Sequence, residues 1–243
     1  MDRRLEKRRR EVAEGQARSG LYKLLIVLIV ASIGGLATWL FRSPLLSVQE
    51  IVVAGAPPHL REQVRSDSGI APGEPLVSVR PAEVEAALGN NPWIASSEVT
   101  LMWPQQVLIE VTPRLPVAWL EDGEGWSLVG ADAVVLETAR QAGSELPILR
   151  ADAELAKLGG LAFLAELGPL QFPGALVEAR EGEMWAQVGG HDVRLGRPID
   201  MEAKARALAA LLARGVEAGA SISLIAPTRP AVYPPNIQSQ VEP

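Results

Sequence analysis

The chain has 243 residues and no cysteine, with 48% hydrophobic residues but only 5% aromatic ones, and a formal net charge of −6. Zero Cys excludes disulfide scaffolds, thiolate metal sites and cysteine nucleophiles, and the scarcity of aromatics calls for cores built from Leu, Val, Ile and Ala. Residues 1–23 carry eight Lys/Arg against four Asp/Glu, whereas from residue 44 onward 14 basic residues face 25 acidic ones, which argues against a nucleic-acid-binding face on the folded part.

The first element is Leu24 to Phe41, 18 residues without a charge, bracketed by Lys23 and Arg42. At about 1.5 Å per residue such a helix just crosses a hydrocarbon core of about 30 Å. A cleavable signal peptide is the competing reading. Its apolar run is usually shorter, and bulky Trp39, Leu40 and Phe41 stand where small residues are needed for cleavage. Residues 24–41 are therefore expected to be an uncleaved transmembrane helix. The basic tail, residues 1–23, marks the cytoplasmic side by the positive-inside rule, so the rest of the chain is expected beyond the membrane. The run Lys7 to Arg10 reads as this topology signal with weak attraction to anionic lipid, rather than as a DNA-binding arm. Ala31, Gly34, Gly35 and Thr38 are small residues spaced to seat a partner helix, a pattern common in membrane helices.

Val48, Ile51 and Val53 predict a strand ending at Gly55, and Pro57-Pro58 opens a helix with Leu60 and Val64 one turn apart. Gly69 to Leu76 is turn-rich, with Ile70 and Leu76 as apolar plugs. Pro81 then starts a second helix, whose stripe is Val84, Ala87 and Leu88. Asn90-Asn91-Pro92 breaks it. Val99 to Met102 and Gln106 to Val111 predict two strands joined by the turn Trp103-Pro104-Gln105. The order is strand, helix, helix, strand, strand.

Gly69-Ile70 to Leu76, Asn91-Pro92-Trp93-Ile94, Trp103-Pro104 and Arg114 to Ala118 stand in the order and spacing of a POTRA domain. They resemble that domain as it occurs in the bacterial cell-division family FtsQ/DivIB, which also has a short basic tail and one anchor just before the module. The chain departs from the commonest family pattern at Thr112-Pro113-Arg114, where a Glu often precedes the Arg. Pro113 favours an extended link there.

Beyond residue 117, Ala118 to Leu120 and Trp126 to Val129 flank a Gly-containing hairpin loop, Glu121 to Gly125. Val134 to Leu136 and Leu146 to Leu149 follow as short apolar runs, Pro147 marking an edge or a strand end. Ala153 to Leu167 predicts a helix with Leu155, Leu158 and Ala162, and Leu161 and Ala165, on its apolar stripes; Gly168-Pro169 stops it. Leu176 to Ala179, Met184 to Val188 and Asp192 to Leu195 predict a meander. Asp200 to Ala213 is a helix that Asp200 is placed to cap, with Ala203, Ala207, Leu208, Leu211 and Leu212 inward. Ser221 to Ile225 is the last predicted strand. This order resembles the second, β-rich domain of the same family.

The expected fold is α+β: one N-terminal transmembrane helix, a POTRA-like β-α-α-β-β module over 47–117, and a β-rich domain with two helices over 118–233. Residues 234–243 are too polar and Pro-rich for a core and read as disordered.

A search for chemistry finds no catalytic constellation. His59 and His191 read as solvated loop histidines without a second ligand at metal spacing, and Gly123-Glu124-Gly125 and Gly189-Gly190 lack the context of phosphate loops. No catalytic residue, metal or cofactor is expected, and no small-molecule substrate. Two rival readings make distinct demands on the sequence. A POTRA-bearing chaperone or transport component predicts further POTRA repeats or a β-barrel, and an anchored wall hydrolase predicts a Ser-Lys, Ser-His or metal site.

The resemblance implies a non-enzymatic divisome scaffold at the septum, single-pass in the plasma membrane, linking early and late division proteins and helping to control septal peptidoglycan synthesis. It implies that coiled-coil division proteins, FtsB-like and FtsL-like, dock by strand addition on the C-terminal part of the β domain. That role falls on an expected edge strand, Ser221, Ile222, Ser223, Leu224 and Ile225, and on Arg229, Ala231, Val232 and Tyr233. The plainer reading of Ile222 and Leu224 is that they fill the core.

Overall fold

The structure is a computed structural model that describes residues 23–36, 39, 44–123 and 125–235. Residues 23–36 form helix α1, with Leu24 to Val30 and Ile33 exposed. Among the described residues no helix is long and apolar enough to cross a membrane. The expected anchor's residues 37, 38, 40 and 41, the basic tail up to residue 22 and the polar end 236–243 lie outside the described residues.

The chain divides into two compact units, one running to Asn91 and resuming at Ser96–Thr112, the other comprising Pro92–Ala95 and Pro113 onward. In the first, β1 (Glu50–Ala54), α2 (Pro58–Asp67), α3 (Pro81–Leu88), β2 (Ile94–Met102) and β3 (Gln106–Pro113) follow the predicted order. Prolines at the first turns of α2 and α3 fit because the missing N–H has no intrahelical partner there. The sheet order is β1-β3-β2, with β1 parallel to β3. Val107, Ile109 and Val111 alternate inward from β3 to meet Leu60, Val64, Leu76, Val84 and Leu88 in the buried set. Gly55 closes β1 at φ +78°, where a Cβ would lie 2.2 Å from the carbonyl oxygen of Val111.

The second unit is a nine-stranded mixed sheet in the order β12-β11-β10-β9-β8-β7-β4-β5-β6. Its strands are β4 (Pro116–Asp122), β5 (Gly125–Gly130), β6 (Val135–Ala139), β7 (Ile148–Arg150), β8 (Leu176–Arg180), β9 (Glu183–Val188), β10 (His191–Gly196), β11 (Ser221–Ser223) and β12 (Ala231–Tyr233). β7 runs parallel to both β4 and β8, so Pro147 marks a strand end in the middle of the sheet rather than an edge. Helices α4 (Glu154–Leu167) and α5 (Met201–Ala213) pack together, and α4 lies on β4, β7 and β8. Phe163, Leu161, Leu164, Leu149, Val177, Val193, Leu195, Ile222 and Leu224 belong to the continuous core.

Three local expectations are corrected. On α4 the buried face is Ala156, Gly160, Leu161, Phe163, Leu164 and Leu167, whereas Leu155 and Leu158 are exposed. The helix turns this way because Gly160 permits close approach: a Cβ there would sit 2.5 Å from Leu149 Cδ1. Asp200 does not cap α5 with its side chain; it adopts a left-handed backbone (φ 54°) and makes no side-chain cap bond. His191 is not a solvated loop residue. It is buried at the start of β10, where its Nδ1–H donates to the Ala220 carbonyl at 3.1 Å.

Candidate functional site

The site is built from the last strands of the sheet. β10 and β11 are parallel, with Val193 opposite Ile222 and Arg194 opposite Ser223, and α5 supplies the crossover that parallel neighbours need. β11 then pairs antiparallel with β12, matching Ser221 to Tyr233, Ile222 to Val232 and Ser223 to Ala231. Ser221–Ile225 is therefore not the edge. It is an inner segment covered on its far side by β12, a strand the sequence pattern does not mark.

Among the described residues, the register settles which backbone groups remain free at that edge. The Leu224 N–H donates to the Arg194 carbonyl at 2.8 Å, so Ile222 and Leu224 spend their backbone groups on β10. The intervening Ser221 and Ser223 then face β12, and their partners Tyr233 and Ala231 are the hydrogen-bonded pairs. Val232, opposite Ile222, consequently points its N–H and C=O away from the sheet.

Side chains alternate correspondingly. Ile222 and Leu224 are buried at 1% and 0% exposure in the core, and Val232 shares the face of Ile222 but stays exposed at the sheet margin. Ser221, Ser223, Ala231 and Tyr233 lie on the opposite face. There, a groove of about 560 Å³ is lined by Glu178, Arg180, Trp185, Arg194, Ser223 and Tyr233, among others. Cross-strand neighbours build its floor, Glu178 beside Trp185, Trp185 beside Arg194, and Arg194 beside Ser223. The Arg194 guanidinium lies 5.5 Å from the Trp185 ring centroid and donates to both Glu183 carboxylate oxygens at 2.8–3.0 Å. Arg180 pairs with Glu178. Both Arg194 and Glu183 are part-exposed, so this ion pair contributes only about 0–1 kcal/mol. Ile225 and Arg229 lie outside the pairing: Ile225 is exposed beside Gly196, and Arg229 sits in the β11–β12 turn, its N–H donating to the Ala226 carbonyl.

Residues 46–114 match the family described as POTRA domain, FtsQ-type. The chain is 30% identical over 203 residues to cell division protein FtsQ of Streptomyces griseus, a match spanning 77% of this chain and 97% of the relative. It belongs to the FtsQ/DivIB family. The FtsQ of Streptomyces collinus is 28% identical over 228 residues, covering 86% of each chain. The major extracytoplasmic domain of DivIB from Geobacillus stearothermophilus is similar to 43% of this chain and 98% of its own, with 18% identity and a TM-score of 0.33.

In this FtsQ-family chain, the described residues contain no group of three or more His, Cys, Asp or Glu arranged to hold a metal ion. His59 is exposed on α2, and His191 is engaged in the β10–β11 junction. Sequence reasoning missed Glu178, Arg180, Trp185 and Arg194. Their signal was present in the alternation of Met184-Trp185-Ala186-Gln187-Val188 and Asp192-Val193-Arg194-Leu195, where every second residue is apolar and inward. It also missed Lys204, which is buried with Nζ donating to the Arg197 carbonyl at 2.8 Å. Burial lowers the Lys204 pKa from its ordinary value, opposed by the nearby Asp200 carboxylate.

Proposed function

We propose that this chain serves the division machinery as a non-enzymatic, membrane-anchored scaffold whose β12 edge receives a strand from a partner division protein. The open edge carries this reading. β12 ends a nine-stranded sheet with the Val232 backbone turned outward, and such an edge accepts a further strand through main-chain hydrogen bonds, with flanking side chains supplying specificity. The groove beside it offers Arg180, Arg194, Trp185 and Tyr233 to side chains of the arriving segment. Membership of the FtsQ/DivIB family and its divisome role make coiled-coil proteins of the FtsB and FtsL type the proposed partners.

The charge pattern supports the placement. The apolar run 24–41 behind a basic tail favours a single-pass anchor with a cytoplasmic N-terminus, the two compact units lying beyond the membrane at the septum. The test is capture of division proteins from solubilised membranes by the full-length chain and by Val232→Pro. Proline is tolerated where an edge N–H faces solvent, so the variant keeps the sheet but deletes the outward donor. Circular dichroism checks that the fold is intact. Capture by wild type and its loss in the folded variant is expected; equal capture by both removes β12 as the docking edge.

A further inference from the structure

We infer that Pro230 and Pro234 make the β12 edge selective for a foreign strand over a second copy of this chain. This rests on the edge-strand reading above and adds what decides between partners. Outward-facing backbone positions alternate along a strand, so with Val232 pointing out, extending the strand direction by one residue beyond each end of β12 puts Pro230 and Pro234 on the same side. Neither has an N–H. The edge therefore offers three carbonyl acceptors, at Pro230, Val232 and Pro234, but a single donor, the Val232 N–H.

A partner strand with an N–H at each of its three facing positions satisfies all of this edge, through three donated bonds and one accepted from Val232. A second β12 does not. Paired antiparallel about a two-fold axis at Val232, two such edges exchange the two Val232 bonds and then bring Pro230 of each opposite Pro234 of the other. At those positions carbonyls and pyrrolidine rings meet and no hydrogen bond forms. Shifting the register toward the β11–β12 turn brings in Thr228, next to the turn closed by the Arg229 N–H on the Ala226 carbonyl. The edge is thus complementary to a donor-rich strand and mismatched to itself, and discrimination arises from the bonds denied to the wrong partner. Exposed Val232 and Tyr233 would otherwise make this margin adhesive.

The experiment compares self-association of the detergent-solubilised full-length chain by analytical ultracentrifugation for wild type, the double variant Pro230→Ala with Pro234→Ala, and that double variant carrying Val232→Pro. Restoring two outward donors per edge takes the symmetric pairing from two hydrogen bonds to six. Self-association is expected to tighten by about tenfold or more, each tenfold corresponding to a modest share of those bonds. Adding Val232→Pro removes the two central bonds and sets two pyrrolidine rings against each other at the two-fold axis, so it should weaken the association of the double variant. If the double variant associates no more strongly than wild type, or if Val232→Pro leaves its association unchanged, the selectivity role of the two prolines is overturned. Loss of division-protein capture in Val232→Pro alone, found together with an unassociated double variant, would keep the docking edge and discard only the selectivity. Retained capture would discard the edge itself.

Discussion

Arg114 is the side chain whose removal should be felt most widely in the second unit. Its guanidinium donates to the Ile94 carbonyl at 3.0 Å, to the Pro92 carbonyl, and to Asp132 at 2.9 Å, while its backbone N–H donates to the Trp93 carbonyl at 2.8 Å. The side chain is only 15% exposed, whereas Asp132 is 51% exposed. The carboxylate pair therefore contributes about 0–1 kcal/mol. The two carbonyls weigh more, because charge-assisted bonds contribute about 1.5–3 kcal/mol each, and an orphaned carbonyl keeps its desolvation penalty unless water reaches it. Pro92 is at the more exposed end, so Arg114→Met should destabilise the unit by about 2–4 kcal/mol, Arg114→Lys by about half of that, and Asp132→Asn by less than about 1 kcal/mol. Native-state hydrogen exchange of the α4 amides reads the global opening of this unit alone, which matters because two compact units need not unfold together. If the slowest α4 amides of Arg114→Met stay within about 0.5 kcal/mol of wild type, or if Asp132→Asn matches Arg114→Met, the carbonyl clamp is not what holds this segment.

Ile222→Ala, in the core, should destabilise by about 2–4 kcal/mol, and Val232→Ala, on the same row but exposed, by less than about 1 kcal/mol, in denaturant titrations followed by exchange in β10. Gly55→Ala places a Cβ against the Val111 carbonyl at positive φ and should destabilise the first unit by about 2 kcal/mol or more, seen as faster exchange in β3 and not in α4. Lys204 has a folded pKa below its unfolded value of 10.5, so the unfolded state holds the extra proton between the two. Stability should rise with pH through that window, and Lys204→Met should flatten the rise in a pH series of melting temperatures.

Elements fixed by local rules were legible in the sequence. Pro58 and Pro81 announced α2 and α3, the alternation of Val107, Ile109 and Val111 announced β3, and the glycines of the hairpin loop announced the β4–β5 turn. Properties set by distant partners were not. α4 carries Leu at 155, 158, 161, 164 and 167, so its periodicity presents apolar residues nearly all round, and distant partners, Leu149 beside Gly160 among them, select the face. The burial of His191 depends on a carbonyl 29 residues away at Ala220. β12 has three residues between two prolines, too short for alternation to show, yet it displaces the edge from Ser221–Ile225. The stretch of chain that the sequence reading marks holds the last strands of the sheet, while the strand that forms its border, and the Trp185–Arg194 row beneath the groove, required the sheet order.

The β11–β12 pairing also decides what a clipped chain would display. Cleavage in the turn around Arg229 with release of β12 would not blunt the margin; it would uncover β11, whose outward groups are the N–H and C=O of Ser221 and Ser223. That fresh border has donors and acceptors in equal number and no proline. The last strand is therefore also a sheath, and a chain that loses it exchanges a discriminating border for an indiscriminate one.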